Sequence, residues 1–113
     1  MTESQIQTAV RLELGNVTRY PEIVLWPNVC GVFLDEHSGT KRRVGVGNPG
    51  GADLIGMWNG RFLGVEIKTP IGRQSPEQKR FQTLVEKRGG VYIVLRSVED
   101  AQQWAESMRR KAA

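Results

Sequence analysis

The sequence predicts an α/β domain with a mixed β-sheet flanked by helices. Two apolar runs joined by Asn59-Gly60 are typical of an antiparallel hairpin, since both residues of such a two-residue turn adopt positive φ. A helical pattern over residues 76–88 then leads to an apolar strand at Val91–Leu95, which favours a right-handed parallel crossover. The chain has 113 residues, of which 39% are hydrophobic and 25% charged. That length and composition suit one globular domain, expected to span residues 1–113.

N-capping residues predict where three helices begin. In a capping box, a Ser or Thr and a Gln three residues later each bond to the backbone N–H of the other. Apolar residues at helical spacing follow each cap, and a glycine follows each of the first two helices. The caps are Thr2 with Gln5, Ser75 with Gln78, and Ser97, and the first two helices are expected at 3–14 and from Pro76 to before Gly89.

The middle of the chain is rich in β-branched residues, but glycine and proline interrupt it. Pro27 and Gly31 divide the stretch Glu22–Leu34 into two short strands or one bent strand. Lys41–Val46 suggests another short strand. The glycine-rich loop at 45–51 has neither a Walker A pattern nor a GxGxxG pattern, so it gives little support to nucleotide binding.

Several protein classes are excluded by composition. One cysteine and one histidine cannot form a disulfide framework or a zinc site with several Cys and His ligands. Cys30 lies in an apolar stretch and is expected to pack as a small hydrophobic residue. No apolar run approaches the roughly 20 residues of a membrane helix, and the polar N-terminus does not resemble a signal peptide. We expect a cytoplasmic protein of a bacterial or phage-infected cell, neither secreted nor bound to a membrane.

The net charge of +4 is unevenly distributed. Residues 1–40 contain two basic and five acidic side chains, whereas residues 41–113 contain fourteen basic and seven acidic ones. A polyanionic partner is one explanation, and a basic solvated surface without a partner is the other. Four cations of the second helix are expected to form a solvated face: Lys79, Arg80, Lys87 and Arg88.

The hairpin turn determines which side chains face one another. A two-residue turn that pairs Trp58 with Arg61 also pairs Asp53 with Glu66, with Cβ atoms about 5 Å apart. Lys68 lies on the same face as Glu66, and Val65 and Ile67 point to the other face. Opposed carboxylates destabilise a sheet unless a shared proton, the Lys68 ammonium or a divalent cation compensates. A surface hairpin with scattered charges is the alternative.

Gly51-Ala52-Asp53 followed after a gap by Glu66-Ile67-Lys68 resembles the PD-(D/E)XK nuclease signature. The wider set of motifs is similar to the VRR-NUC branch, small nucleases of phages and bacteria. It extends from the first helix through Asn59-Gly60-Arg61-Phe62-Leu63 and Ser75-Pro76-Glu77-Gln78 to Gly89-Gly90. Ala52 stands where the signature has proline, which is not a ligand. The resemblance implies a restriction-endonuclease-like fold.

The resemblance also implies roles for particular residues. Asp53, Glu66 and the backbone carbonyl of Ile67 would bind Mg²⁺ or Mn²⁺, and Lys68 would be the catalytic lysine. Glu3 is the best match to an acidic residue that the family places near the metal on its first helix, although helix dipoles also favour such a carboxylate. Gln78 matches a glutamine near the active site, and it also fits the capping box.

The function expected from this resemblance is a metal-dependent DNA endonuclease acting on branched or flapped DNA. A four-way (Holliday) junction resolvase is its sharpest form and implies a C₂ homodimer, with an interface in Ile23–Phe33 that exposes Trp26 or Phe33. Two alternatives are a non-catalytic nucleic-acid-binding module with the same fold and a small interaction domain. The DNA contacts are expected at Arg73 in the loop before the second helix and at Lys41, Arg42 and Arg43.

Overall fold

The structure, a computed structural model, describes all 113 residues. It contains three helices and six strands in an α/β arrangement, with five consecutive strands between the first and second helices. The helices are α1 Glu3–Leu14, α2 Pro76–Lys87 and α3 Val98–Ala112, and the strands are β1 Ile23–Pro27, β2 Gly31–Leu34, β3 Lys41–Val44, β4 Leu54–Trp58, β5 Arg61–Ile67 and β6 Val91–Leu95.

The main sheet has four strands in the order β1-β4-β5-β6. β1, β4 and β5 are antiparallel neighbours, and β6 runs parallel to β5. The sheet is therefore mixed, as predicted, and α2 forms the crossover between its two parallel strands. No helix is both long and apolar enough to cross a membrane.

The β4–β5 hairpin has the predicted turn and register. Asn59 and Gly60 adopt φ of 47° and 79°, as the two-residue turn requires. Trp58 pairs with Arg61, and at the other end Leu54 pairs with Val65. The next residues beyond this pair are Asp53, which directly precedes β4, and Glu66 of β5. These two residues therefore face each other just beyond the last ladder pair.

The helices divide between the two faces of the sheet. α1 and α3 cover one face, where the core includes Leu63, Val65 and Ile67 of β5. α2 covers the opposite face. The smaller core cluster there consists of Ala52, Phe81, Val85 and Tyr92. Because side chains alternate along a strand, Glu66 points to the α2 face.

β2 and β3 form a separate antiparallel pair rather than extending the main sheet. We call residues 29–45 the arm, since they leave the sheet after β1 and return before the glycine-rich loop. Its apolar side chains are exposed: Val29, Val32, Phe33, Leu34 and Val44. Cys30 is also exposed, so the expectation that it packs in the core was wrong. Pro27 ends β1, which leaves Cys30 outside the layers that could have covered it.

The glycine-rich loop is packed tightly against α2. A Cβ atom at Gly50 would lie 2.4 Å from the Glu77 carbonyl oxygen, and one at Gly47 would lie 2.3 Å from the Phe81 ring. Such distances leave no room for a side chain, so the glycines allow the loop to approach the helix. The loop, which follows the arm in the chain, thereby packs against the first turns of α2.

Candidate functional site

Asp53 is held at the start of β4 by backbone hydrogen bonds on both sides. Its carboxylate Oδ2 accepts a 2.8 Å hydrogen bond from the Ile67 N–H. Its carbonyl accepts a 2.8 Å bond from the backbone N–H of Asn28. The Asp53 carboxylate therefore takes the place of a backbone carbonyl as the acceptor for the Ile67 N–H of β5. This bond fixes the carboxyl group beside Glu66.

Glu66 is the most deeply buried charged side chain, with 1% of its surface exposed. Its Oε2 accepts a 2.9 Å hydrogen bond from the Gln78 side-chain amide. Its Oε1 is also buried and has no hydrogen-bond partner. Buried polar atoms are rarely left without a partner, so this oxygen calls for a proton, a water or a cation.

The electrostatics of the pair follow from this burial. Loss of solvation, and then the nearby Asp53 carboxylate, raise the pKa of Glu66 to about 8. The Lys68 ammonium acts in the opposite direction without cancelling the shift. A proton or a divalent cation between the carboxylates would each relieve this repulsion.

Gln78 is positioned by the helix cap that the sequence predicted. Its side-chain oxygen accepts a 2.8 Å bond from the Ser75 N–H, and Ser75 Oγ accepts a 3.1 Å bond from the Gln78 N–H. This capping box leaves the amide NH₂ free to donate to Glu66. Gln78 thus serves both roles that the sequence allowed.

Lys68 lies near the carboxylates without pairing to either. No acidic side chain lies within 4.0 Å of its ammonium, although its charge lowers the Glu66 pKa. Its backbone N–H donates to the Leu95 carbonyl at 3.1 Å, and its stem runs beside Gly72. The ammonium is therefore available for a further anionic group.

Glu3 acts on the pair through its charge, and no hydrogen bond joins it to Asp53 or Glu66. It is exposed on the first turn of α1, the helix that packs on the other face of the sheet. Its charge has the smallest effect among the causes that act on the Glu66 pKa. No group of three His, Cys, Asp or Glu side chains is close enough to hold a metal ion.

The oxygen ligands at the open end of the β4–β5 hairpin nevertheless fit a hard divalent cation. Mg²⁺ is commonly held by one or two carboxylates, with water and phosphate oxygens as the other ligands. Asp53 and Glu66 provide two carboxylates, and the unpartnered Glu66 Oε1 is the oxygen that a cation would satisfy. The carbonyl of Ile67, which lies between Glu66 and Lys68 in the chain, is the third oxygen that the resemblance implies.

The expected DNA-binding residues lie in two separate places. Arg73 is exposed in the loop before α2, two residues before the Ser75 cap. Lys41, Arg42 and Arg43 are exposed on β3 of the arm. Arg42 pairs with Asp35 at 3.4 Å, while Lys41 and Arg43 have no acidic partner.

Sequence reasoning missed two residues that organise the site. The Asn28 amide bonds to the carbonyls of Val46 and Ala52, and its oxygen accepts from the Val46 N–H, each at 2.9 Å. It thereby joins the end of β1 to the segment before Asp53. In the sequence, the position of Asn28 directly after Pro27 suggests only a turn. No nearby residue indicates that its side chain bonds to Val46 and Ala52.

Arg96 is the second residue that was missed. Its guanidinium donates to the carbonyls of Thr69 and Gly72, both at 2.6 Å. These bonds tie the loop after Lys68 to the end of β6. The contacts span 27 and 24 residues of sequence, so no short-range pattern could have revealed them.

The fold and the site together define an α/β domain with a buried carboxylate pair at the end of a β-hairpin. Lys68 and Gln78 adjoin that pair. Compared with protein-family models and with curated proteins, the chain matches none of them.

Proposed function

We propose that this protein is a divalent-metal-dependent DNA endonuclease with a restriction-endonuclease-like fold, similar to the VRR-NUC branch of the PD-(D/E)XK nucleases. One observation carries the proposal. The buried Glu66 has an oxygen without a partner and faces Asp53, while Lys68 remains unpaired beside them. A metal-assisted attack on a phosphodiester uses carboxylates and a free cation in this way.

Each residue has a distinct part in the proposed reaction. Asp53, Glu66 and the Ile67 carbonyl would hold Mg²⁺ or Mn²⁺, which polarises a phosphate and lowers the pKa of a bound water. Gln78 fixes the Glu66 carboxylate, and Lys68 donates to the attacking water or to a phosphate oxygen. Glu3, on the first turn of α1, would add the further acidic group that the resemblance implies, and its charge already raises the pKa of Glu66.

The proposed substrate is branched DNA, either a four-way junction or a flap. Resolution of a junction requires two symmetric nicks, so the proposal includes a C₂ homodimer with two sites. The arm and the adjoining edge strand β1 suit that interface. Trp26 and Phe33 are each 51% exposed, and the acidic turn of the arm with its basic β3 is self-complementary in charge. A second copy of this chain is the proposed occupant.

A cleavage assay tests the proposed function. Wild type, Asp53→Ala and Lys68→Ala are incubated with Mg²⁺ or Mn²⁺ on a four-way junction, a flap and a linear duplex. We expect paired symmetric nicks in the junction by wild type, and binding without cleavage by both variants. Cleavage that persists in Asp53→Ala would contradict the assignment of the site.

A nucleic-acid-binding module without catalysis is the second candidate. It is favoured by the absence of a third acid near the pair and by the raised pKa of Glu66, since a proton alone can relieve the repulsion. Binding of junction DNA in EDTA, together with no cleavage in either metal, would select this candidate.

A further inference from the structure

The outward face of α2 is mainly basic. Six exposed side chains at positions i, i+1, i+4, i+5, i+8 and i+9 form one continuous helix face. Four of them are basic, and two acidic residues of α2, Glu77 and Glu86, lie beside them. The six side chains of the face line a shallow groove of about 440 Å³: Lys79, Arg80, Thr83, Leu84, Lys87 and Arg88.

The first residue of this face directly follows Gln78 in the sequence. Gln78 donates to Glu66 at 2.9 Å, and the next residue, Lys79, already belongs to the outward face. At the helical rise of 1.5 Å per residue, Lys79 and Lys87 are about 12 Å apart along the axis. The phosphates of one DNA strand recur every 3.4 Å of duplex axis, so this length matches several successive phosphates.

Most of these cations have no acidic partner. Arg80 lies 3.4 Å from Glu77, but no acidic side chain lies within 4.0 Å of Lys79, Lys87 or Arg88. Elsewhere, Arg19, Arg109 and Arg110 are paired with glutamates. The exposed part of α2 also contains Glu77 and Glu86, but its four cations exceed these two acids and three of the cations are unpaired. This excess of unpaired cations favours an anionic partner over the solvated surface expected from the sequence.

The cationic surface continues past the end of α2. Arg61, in the first position of β5, donates from Nε to the Gly89 carbonyl at 2.7 Å. This bond holds its guanidinium beside the end of α2, where it adds a fifth cation. The surface thus extends from Lys79, at the start of α2, to the β4–β5 turn.

We propose that the outward face of α2 binds the sugar–phosphate backbone of duplex DNA and leads one strand to Asp53 and Glu66. The face provides cations rather than a set of base-reading side chains, so the contact is independent of sequence. The inference that the bound strand is also cut rests on the proposed function. The binding itself does not require a metal.

The test compares two double variants that remove equal charge. Lys79→Gln with Lys87→Gln neutralises the proposed surface. Arg11→Gln with Lys111→Gln is the matched control, because both residues are exposed, unpaired and on the helices of the opposite face. The Kd for a fluorescent duplex is measured by anisotropy in EDTA between 50 and 250 mM salt, after circular dichroism has confirmed folding.

We expect the α2 variant to weaken binding at least about tenfold at low salt. The slope of log K against log salt should fall by about one unit for each lysine removed, and the control should keep the wild-type slope. Equal slopes for the α2 variant and the control would overturn the proposal. So would binding to anionic lipid vesicles but not to DNA.

The outcomes separate this inference from the proposed catalysis. If wild type cuts DNA but the α2 variant keeps the wild-type slope, the binding face is wrong and the nuclease proposal remains. If the slope falls as expected but no metal supports cleavage, the binding face stands and the nuclease proposal fails.

Discussion

Glu66 is the only charged residue among the buried side chains, so the chemistry of the site depends on how its charge is compensated. It is held by one donor, Gln78, and opposed by a second carboxylate, Asp53. Its pKa of about 8 is the consequence.

The metal-free protein should lose stability as the pH rises from about 4.5 to about 8. The folded state binds the Glu66 proton more tightly than the unfolded state does, so the unfolded chain ionises first as the pH rises. Ionisation lowers the free energy of the unfolded state over that range, and the free energy of unfolding therefore falls. Full stability from this group is present below pH 4.5, and the loss is complete above pH 8. We expect a loss on the order of a few kcal/mol, measured by urea unfolding in EDTA.

Glu66→Gln is the control for this pH dependence. The amide cannot ionise, so the variant should lack the loss and should exceed wild type in stability at pH 8 while matching it near pH 5. Other carboxylates, such as Glu22 and Glu77, have lowered pKa values and remain in both proteins. If the free energy of unfolding changed with pH in the same way for both proteins, Glu66 would not titrate in this range.

Binding of Mg²⁺ or Mn²⁺ should release a proton and raise the melting temperature. At pH 7 Glu66 is protonated in the metal-free protein, and a carboxylate must be ionised to coordinate a metal. Calorimetry in two buffers of different ionisation enthalpy should show release of about one proton. At a metal concentration 100 times Kd, stability should rise by about 2.7 kcal/mol. Glu66→Gln should show neither effect if the site is the carboxylate pair.

At the scale of elements, the two capping boxes provide an internal comparison. Thr2 with Gln5 begins α1, and Ser75 with Gln78 begins α2, with the same cap dihedral angles. Only the second box places its glutamine against a buried carboxylate. The same local motif therefore supports a helix in one place and holds a site residue in the other.

Gln78→Met should cost more stability than Gln5→Met. Both substitutions remove the cap bond of the side chain, but only Gln78→Met also leaves Glu66 Oε2 without its donor. We expect the difference to be about 1–3 kcal/mol by urea unfolding at pH 8, with at least a tenfold loss of cleavage for Gln78→Met alone. Equal costs would mean that the bond between Gln78 and Glu66 contributes nothing to stability.

At the scale of the whole molecule, the arm is the least covered part of the chain. A two-stranded hairpin is marginally stable alone, and this one has apolar side chains exposed on both strands. Val32, Phe33 and Leu34 alternate between its two faces and remain exposed on either one. A second copy that covers the arm would stabilise it.

Phe33→Glu should convert the proposed homodimer into a monomer. Light scattering coupled to size exclusion should give about twice the mass of the 12.7 kDa chain for wild type and the monomer mass for the variant. Leu12→Glu on α1 is the control, because Leu12 is 70% exposed and distant from the arm in sequence. A monomeric wild type at working concentration would contradict the dimer and, with it, the junction-resolvase form of the proposal.

The local features of this protein were determined by the sequence alone. The Asn59-Gly60 turn sets a two-residue hairpin, and the hairpin register alone makes Asp53 face Glu66. The capping boxes likewise predicted the starts of α1 and α2. These features depend on residues close together in the chain, where turn geometry and backbone hydrogen bonds leave few choices.

The tertiary structure alone decided which elements meet at the carboxylate pair. Because α2 packs on the Glu66 face, Gln78 reaches Glu66, whereas α1, which carries Glu3, packs on the other face. Asn28 and Arg96 join segments that are far apart in sequence, so only packing could reveal them. The face on which a helix packs depends on burial summed over the whole sheet, and no short stretch of sequence contains that information.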